Sequence, residues 1–539
     1  MVALPFNELK DQLGSSRAQA LRRFFSLERR LKTNPDLWQE YSKVIEEYEQ
    51  LGHMKKVENE REEGFYLPHH AVLKLSSMTT KVRVVFDGSA KSSTKFSLND
   101  ALMIGPTIQD DIFSLVLRFR LPKFVFTGNI EKMYRQVLVR PEDRKFQRII
   151  WRCQPTDKEV SVYELQTVTF GLAPAPYLAT RCLHQLAGDE REKFPLASKL
   201  LKRDLYIDDV LSGADSLEET INLRDEPIEI LRCGGFNLRQ CASNSPMVLQ
   251  GLPDCTVNLK LLGGADPKLK TLGVHWDSQQ DVIVYTVNPI ATKDVITMRT
   301  IASDVARIFD PLGLLNPVIT HTKIIQQELW RLKLDWDDSV PHEVSTKWRD
   351  FASQLPLLND LRFQRHIFIP NAEFIELPGF SDASEKAYGA CIYLRSVDTS
   401  GKSDIHLWCA KSRIIPLKSS QTIPRLELCA AEILTDLYTT VKRATDIKPT
   451  REFFWTDSMI TLQWIHKSPH ILETFIANRV AKIQQRTDPY DWRHVRTYDN
   501  PADAVSRGEL PVDFMQNSLW QHGPQWLTGG EDTWPFTPV

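Results

Sequence analysis

The sequence predicts an α/β chain of two or more domains, and three observations support this prediction. At 539 residues the chain exceeds the length at which one hydrophobic core keeps growing. Short apolar strands and amphipathic helices alternate from about residue 66 to residue 250. A second series begins at residue 373, where three strands, a helix, a strand and a helix follow one another. That order is typical of a mixed sheet covered by helices.

The helices are predicted from the spacing of apolar residues. Residues 15–60 are expected to be mostly helical, and residues 324–338 show an amphipathic pattern. In the first helix Glu28 interrupts a broad apolar face, which consists of Leu21, Phe24, Phe25, Leu27 and Leu31. The opposite face contains Arg22, Arg23, Arg29 and Arg30. Such a face is typical of a solvated helix, and contact with nucleic acid is the alternative.

The strands are predicted from alternation and from turn residues. Lys81 to Phe86 alternates as a strand does, Phe124 to Phe126 forms a short apolar strand, and Leu201 to Val210 suits a β-hairpin. Gly234-Gly235 marks a turn, and residues 310–313 (Asp-Pro-Leu-Gly) break a helical segment. Beyond residue 373, strands are expected up to Ser381 and at 387–394, 405–410 and 452–456, with a helix at 424–442.

Composition narrows the class of protein without identifying a partner. Hydrophobic residues make up 42% and charged residues 25% of the chain, which are ordinary globular values. The net charge of −2 does not exclude a nucleic-acid enzyme, because its positive charge can be confined to one channel. The eight cysteines are scattered without a CxxC pair, which indicates buried thiols in a reducing compartment. Since no signal peptide and no apolar run of about 20 residues occurs, we expect a soluble intracellular protein and no membrane partner.

The first group of candidate site residues is the sequence Tyr206-Ile207-Asp208-Asp209. Two adjacent aspartates in a hairpin turn aim their carboxylates at one point, and Mg²⁺ prefers such hard oxygen ligands. Two such ions stabilise the attacking and the leaving oxygen in phosphoryl transfer. The pattern is short, so a solvated aspartate-rich turn is the alternative.

The second group is acidic and lies in the later series of elements. Asp382 and Asp457 each end a predicted strand, so both carboxylates emerge at one edge if the two strands are neighbours. Glu427 lies in the first turns of the helix between them, and Asp503 lies in a turn expected to cap a last helix. Four acids arranged in this way suit a two-metal nuclease site. The alternatives are an N-cap role for Asp503, a surface position for Glu427, and Glu432 as the helical acid.

Ordered motifs along almost the whole chain resemble the Pol polyprotein of long-terminal-repeat retrotransposons of the Bel/Pao group. These motifs lie at 16–31, 81–87, 130–137, 169–180, 206–209, 234–236 and 306–315. Residues 373–508 resemble the RNase H domain that follows the reverse transcriptase in that group. The resemblance implies a right-hand polymerase fold of palm, fingers and thumb, followed by an RNase H-like mixed-sheet domain.

The resemblance also implies a division of the chain. The expected parts are a helical linker region at 1–65, fingers and palm at 66–250, a thumb or connection region at 251–370, an RNase H-like domain at 371–510 and a tail at 511–539. No Asp-Thr/Ser-Gly turn of an aspartic protease and no His/Cys zinc module occurs in the sequence. We therefore expect a piece of a longer polyprotein or a decayed genomic copy.

Nucleotide-binding residues follow from the resemblance. Arg83, with Lys81 as a second cation, is expected to contact the incoming deoxynucleoside triphosphate, a role suited to a fixed guanidinium. Tyr134 corresponds to the bulky gate that excludes a ribose 2′-OH, and Phe170 and Gly171 to the loop under the nascent base pair. The primer-gripping hairpin corresponds to Leu272, Gly273 and Trp276.

The polymerase metal site departs from the family pattern at one position. The resemblance implies Asp208 and Asp209 as ligands, together with an aspartate where this chain has Asn129. An amide offers one neutral oxygen where a carboxylate supplies charge and two oxygens. Glu131 would point to the same side of a strand and is a candidate to compensate, but the family has that glutamate as well. Polymerase activity is therefore expected to be severely reduced.

By the same resemblance Asp382, Glu427, Asp457 and Asp503 are the metal ligands of the RNase H-like domain, without substitution. The implied reaction is cleavage of the RNA strand of an RNA–DNA hybrid, with contacts to 2′-OH groups selecting the strand. The implied cofactor is Mg²⁺ in two-metal sites, with Mn²⁺ as the alternative.

Three hypotheses about function follow. The leading one is a nuclease attached to an impaired polymerase; the second is an enzyme with both activities; the third is a non-catalytic remnant that binds nucleic acid or proteins. The implied partners are an RNA template, a DNA primer, an RNA–DNA hybrid and dNTP, in cytoplasmic virus-like particles or the nucleus. The oligomeric state stays open.

Overall fold

The structure is a computed structural model that describes residues 1–58, 64–73, 82–152, 159–258, 268–287, 289–290, 295–417 and 421–535. Its helices are α1 Arg17–Lys32, α2 Pro35–Gln50, α3 Ile112–Phe119, α4 Pro141–Arg144, α5 Ala175–Asp189, α6 Pro195–Arg203, α7 Leu217–Cys233, α8 Pro246–Leu249, α9 Met298–Val305, α10 Asn316–Arg331, α11 His342–Gln354, α12 Ile423–Ala444, α13 Met459–His466, α14 Thr474–Arg486, α15 Ala502–Arg507, α16 Pro511–Gln516 and α17 Ser518–His522. None of these helices combines the length and the apolar character that crossing a membrane requires.

The strands are β1 Met54–Lys56, β2 His69–Leu73, β3 Val82–Phe86, β4 Phe124–Ile130, β5 Arg148–Trp151, β6 Ser161–Leu165, β7 Leu205–Tyr206, β8 Asp209–Ala214, β9 Leu238–Ser243, β10 Lys268–Thr271, β11 Val274–Asp277, β12 Val282–Val284, β13 Arg362–Gln364, β14 Ala372–Ala383, β15 Ala387–Asp398, β16 Ser403–Ile414, β17 Arg451–Thr456 and β18 Trp492–His494. The predicted mixture of helices and strands is confirmed.

The chain divides into two compact units. Unit 1 comprises residues 1–110, 128–210 and 222–239, and unit 2 comprises residues 111–127, 211–221 and 240–539. A four-stranded sheet has the order β7-β8-β4-β9. Its part in unit 1 contains the end of β4, where the amide of Ile130 donates to the Asp208 carbonyl at 2.7 Å.

Unit 1 begins with α1 and α2, whose apolar faces pack on the small sheets formed by β1-β6-β5 and β2-β3. The centre is aromatic, with the rings of Tyr41 and Trp151 stacked 5.2 Å apart and Phe24 edge-on to Trp151 at 5.9 Å. Phe25 is 40% exposed, so its predicted place on the buried face is wrong. Glu28 is buried and pairs with Arg152 at 3.2 Å, because it lies one turn after Phe24 on the buried face, whereas Phe25 lies about 100° further round the helix.

Two predicted elements have different limits in the structure. The helix α6 continues to Arg203, so the hairpin predicted for 201–210 contains only β7 and the start of β8. The helix predicted for 324–338 is α10, which begins at Asn316, with Pro317 in its first turn, and ends at Arg331. Lys333 has a φ of +52°, and this left-handed backbone ends the helix before Asp338.

Unit 2 contains a five-stranded mixed sheet of the order β16-β15-β14-β17-β18. β14, β15 and β16 pair antiparallel, whereas β17 runs parallel to both β14 and β18. The helix α12 packs across β14 and β15, and a Cβ on Gly379 would lie 2.7 Å from the Leu434 side chain. The glycine therefore permits the close approach of helix and strand. Because β14 and β17 are parallel neighbours, both end at the same edge of the sheet.

A buried ion pair holds several segments of unit 2 together. Arg365 is fully buried, and its guanidinium donates to Asp281 Oδ1 at 2.8 Å and Oδ2 at 2.6 Å. It also donates to the carbonyls of Phe119 at 3.1 Å and Lys123 at 3.0 Å. One side chain thus joins β13, the turn before β12 and the end of α3.

Replacing this arginine is expected to destabilise unit 2. Arg365→Leu leaves the Asp281 charge without its cationic partner and the two carbonyls without the arginine donor, so the free energy of unfolding should fall by about 3–5 kcal/mol. Arg362→Leu, at the exposed first position of β13, three residues before Arg365, should change it by less than about 1 kcal/mol. Urea unfolding followed by tryptophan fluorescence measures both variants. Equal effects of the two substitutions would contradict the structural role of Arg365.

Candidate active sites

Three carboxylates meet at the edge of the sheet in unit 2. Asp382 lies near the end of β14, Asp457 directly follows β17, and Glu427 lies in the second turn of α12. The two strands are in register, with Ser381 opposite Thr456, so the two aspartates leave the sheet side by side. One carboxylate oxygen from each of the three acids lies within 4.8 Å of the others. Within the described ranges no other group of three acids, histidines or cysteines is as close.

Neighbouring hydrogen bonds orient these carboxylates. The Ser506 hydroxyl donates to Asp382 Oδ2, and the Thr497 hydroxyl donates to Asp457 Oδ2 at 2.8 Å. The amide of Ala383 donates to Glu427 Oε1 at 3.1 Å. Glu427 Oε2 is buried and has no hydrogen-bond partner in the described part of the chain. Neither hydroxyl was predicted from the sequence, since serine and threonine are common and their spacing does not mark them.

Without a cation, ionising all three carboxylates of this group is unfavourable, because they are desolvated and repel one another. Burial, and then the charge of Asp457, raises the pKa of Asp382 to about 7. Burial, and then the charges of both aspartates, raises the pKa of Glu427 to about 9. Burial also raises the pKa of Asp457. Three desolvated acids with one unpartnered oxygen fit a divalent cation, which would supply the missing positive charge.

Asp503 is placed differently from the other three acids. It is the second residue of α15, and the turn before it, with Pro501 as the cap residue, begins a helix as predicted, whereas the alternative that Asp503 is itself the N-cap is wrong. Its Oδ1 accepts from Arg507 Nε at 2.6 Å, one helical turn later. It is outside the three-carboxylate group, but its charge raises the pKa of Asp382, Glu427 and Asp457.

The structure also separates the two candidate helical acids. Glu432 pairs with Arg479 at 3.2 Å and with Lys482 at 2.8 Å, both on α14. Five helical residues correspond to about 500° of rotation, so Glu427 and Glu432 point in different directions. Glu427 faces the aspartates, whereas Glu432 takes part in the contact between α12 and α14.

The polymerase-type residues lie together in unit 1. Asp209 is the first residue of β8, and Asn129 on β4 donates from Nδ2 to Asp209 Oδ1 at 3.0 Å. Ile207, in the turn before Asp208, has a φ of +55°, which makes the tight hairpin. The amide therefore uses one oxygen of Asp209 as a hydrogen-bond acceptor.

The expectation that Glu131 lies on the same strand as Asn129 is wrong. β4 ends at Ile130, and Lys132 has a φ of +51°, so the chain turns before Glu131 can continue the strand. Its Oε2 accepts from Arg239 Nε at 3.2 Å, which gives this carboxylate a cationic partner of its own. In this position it does not replace a missing carboxylate at residue 129.

The predicted nucleotide-binding residues have distinct environments. The ring of Tyr134 packs on Phe170 at 4.8 Å, and burial, followed by the charge of Asp208, raises the pKa of Tyr134 to about 12. Arg83 is exposed on β3, and Lys81 lies outside the described residues. Gly171 has a φ of +101°, and a Cβ there would lie 1.8 Å from the Phe86 carbonyl oxygen.

Gly171 gives a direct test of this local geometry. Gly171→Ala is expected to destabilise unit 1 by about 1–3 kcal/mol or more, because alanine disfavours this backbone and clashes with the Phe86 carbonyl. Gly188→Ala is the control, since Gly188 lies in α5 with nothing within 4 Å of its Cβ position. That variant should gain about 0.5–1 kcal/mol. Thermal unfolding compares the two, and a stable Gly171→Ala chain would contradict the geometry.

The hairpin predicted from Leu272 and Gly273 is present as the turn between β10 and β11. The two turn residues have φ values of +52° and +83°, as a tight two-residue hairpin turn requires. Trp276 is buried against Phe119 at 5.1 Å and donates to Asp281 Oδ1 at 3.0 Å. Trp276 therefore anchors the hairpin in unit 2.

Comparisons with known proteins agree with this architecture. Residues 297–458 match the family model of the Pao retrotransposon-like RNaseH-like domain. The match includes Asp382, Glu427 and Asp457. A search of curated proteins gives no match.

Solved structures of the foamy viral protease-reverse transcriptase are similar in fold. The dRH form in complex with ds DNA has 14% identity and a TM-score of 0.53, with 86% of this chain and 70% of that chain covered. The complex with RNA/DNA hybrid has 13% identity and a TM-score of 0.51, covering 86% and 54%. The complex with dsDNA has 13% identity and a TM-score of 0.52, covering 85% and 83%. These likenesses confirm the predicted fold class, a polymerase fold with an RNase H-like domain.

Proposed function

We propose that the chain, whose residues 297–458 match the Pao retrotransposon-like RNaseH-like domain, is a Pao-type retroelement Pol region that cleaves the RNA strand of RNA–DNA hybrids. The observation that supports this most is the group of Asp382, Glu427 and Asp457, whose oxygens lie within 4.8 Å of one another. The two aspartates lie at the ends of the parallel neighbouring strands β14 and β17. Acids in this position suit hydrolysis of a phosphodiester that lies across that edge of the sheet.

The chain's own residues prepare the site in three ways. Asp382, Glu427 and Asp457 would hold Mg²⁺, or Mn²⁺ as the alternative, while Ser506 and Thr497 fix two of the carboxylates by hydrogen bonds. Burial removes competing water from Asp382 and Glu427. When bound, divalent cations stabilise charge on the attacking and leaving oxygens. We include Asp503 as a fourth ligand. Its carboxylate must break the ion pair with Arg507 to reach the cation held by the other three acids.

The nucleic-acid partner is part of this proposal. The similar foamy viral structures are complexes with RNA/DNA hybrid and with dsDNA. A hybrid offers 2′-OH groups on one strand only, which gives a nuclease the means to select the RNA strand. We propose an RNA template, a DNA primer and dNTP as ligands of the polymerase fold. Its chemistry is impaired, because Asn129 replaces a carboxylate and bonds to Asp209.

The proposed nuclease is tested with the full chain and a hybrid labelled on the RNA strand. With Mg²⁺ the RNA should be cut and the DNA left intact, and EDTA should stop the reaction. Single-stranded RNA and duplex DNA are the controls and should stay uncut. A chain that binds the hybrid but leaves it uncut would instead support the non-catalytic remnant.

A further inference from the structure

One exposed loop is tied to the three-carboxylate group and contributes nothing to the core. It consists of Arg496, Thr497 and Tyr498, between β18 and α15, and is called the 496–498 loop below. Arg496 is exposed, and Tyr498 is 68% exposed. A guanidinium ordinarily stays in water, but tyrosine is on average partly buried, so a ring left largely in water beside a buried acidic site is available to pack on a ligand.

The loop is fixed at both ends to the strands that position the aspartates. The amide of Val495, just before the loop, donates to the Thr456 carbonyl at 3.1 Å. The buried side chain of Asn500, after the loop, donates to the Ser381 carbonyl at 3.1 Å. In the middle, the Thr497 hydroxyl bonds to Asp457 Oδ2 at 2.8 Å. Arg496 and Tyr498 are therefore the chain neighbours of a residue that touches the site.

The two exposed side chains form one surface. The Arg496 guanidinium donates to the Tyr498 hydroxyl and lies 5.8 Å from the centre of its ring. No ion pair from Arg496 to a carboxylate is present among the described residues, so its charge is available to a ligand. A guanidinium recognises phosphate oxygens, and an aromatic ring packs on bases and sugars.

We propose that Arg496 and Tyr498 bind the nucleic-acid strand that is cut. Arg496 contacts a backbone phosphate next to the scissile one, and Tyr498 packs against the adjoining sugar or base. The inference rests on the proposed nuclease function, because it assumes that a strand crosses the three-carboxylate group. Thr497 acts as a positioning residue for Asp457 between these two contacts.

The test measures binding separately from cleavage. Fluorescence anisotropy with a labelled RNA–DNA hybrid is measured in the Glu427→Gln chain, with Mg²⁺ present, so that cutting does not interfere. Arg496→Gln added to this chain is expected to weaken binding about tenfold, the loss typical of one charge-assisted contact. The plot of the logarithm of the association constant against the logarithm of the salt concentration should become less steep by about 0.9, as for one lost phosphate contact.

Matched variants make the result specific. Arg496→Lys should retain more binding than Arg496→Gln, and Tyr498→Leu should weaken binding about tenfold with little change in the salt slope. Arg443→Gln is the control, since this exposed arginine lies about 24 Å from Glu427 along α12. It should leave the Kd unchanged within about twofold.

The outcomes separate this inference from the nuclease proposal. If Arg496→Gln and Arg443→Gln have the same Kd and salt slope, the inference is wrong even when the unmodified chain cuts hybrids. If the unmodified chain cuts nothing but Arg496→Gln still weakens binding about tenfold, the nuclease proposal fails and the binding surface stands. A Glu427→Gln chain that binds no hybrid at all would overturn the inference.

Discussion

Glu427→Gln is expected to reduce cleavage of RNA–DNA hybrids by about a thousandfold or more. An amide in this position removes the charge and one of the oxygens that a divalent cation requires, and a loss of about 4 kcal/mol corresponds to this factor. Glu427 is the acid whose second oxygen is buried without a hydrogen-bond partner, so its replacement affects cation binding more than packing. A single-turnover assay at saturating hybrid measures the effect.

The same substitution should stabilise the chain in EDTA. The pKa of Glu427 is raised to about 9 in the folded protein, so between its ordinary value of 4.5 and this value the folded state binds more protons than the unfolded state. Stability contributed by the protonated form is therefore lost as the pH rises through this range. Glutamine has no such loss, and the melting temperature of Glu427→Gln should exceed that of the unmodified chain increasingly from pH 5 to pH 8.

Glu432→Gln is the matched control on the same helix. It removes the ion pairs with Arg479 and Lys482, so its stability should fall by up to about 1 kcal/mol. Cleavage should be retained within about twofold, because Glu432 does not face the aspartates. A Glu427→Gln chain that cuts the hybrid as fast as Glu432→Gln would show that the three-carboxylate group is not the nuclease site.

Asn129→Asp is expected to restore primer extension, which should be near background in the unmodified chain. The substitution supplies the third carboxylate beside Asp208 and Asp209 and removes the donor that now bonds to Asp209. We expect extension of oligo(dT) on poly(rA) to increase by about a hundredfold or more, as restored electrostatic stabilisation of several kcal/mol would give. Robust extension by the unmodified chain would contradict this explanation.

Two further variants control the experiment on Asn129. Glu131→Gln in the Asn129→Asp chain should retain most of the restored extension, because Glu131 pairs with Arg239. Asp209→Asn in the same chain should abolish it. In EDTA, Asn129→Asp should melt at a lower temperature than the unmodified chain, since a hydrogen bond is replaced by repulsion between carboxylates. Added Mg²⁺ should reverse this difference.

Much of the fold could be predicted because its signals are local. The range 15–60, predicted as mostly helical, contains α1 and α2, and the limits predicted for α12, β14, β15 and β17 lie within four residues of the observed ones. The predicted ends of helices and strands were less accurate where a residue with left-handed backbone ends the element. Lys333 and Lys132 both adopt left-handed backbone, which lysine seldom does and which its type does not indicate.

The sequence by itself determined the order of elements, the motifs of both sites and the substitution at Asn129. Those features depend on residue type and on spacing along one stretch of chain. Only the tertiary structure decided which side chains pair: Glu427 with the aspartates, Asp503 with Arg507, and Glu131 with Arg239. Such pairing depends on which elements pack together and on the direction of each side chain. Periodicity within one element contains no information about the charge that a distant segment places opposite it.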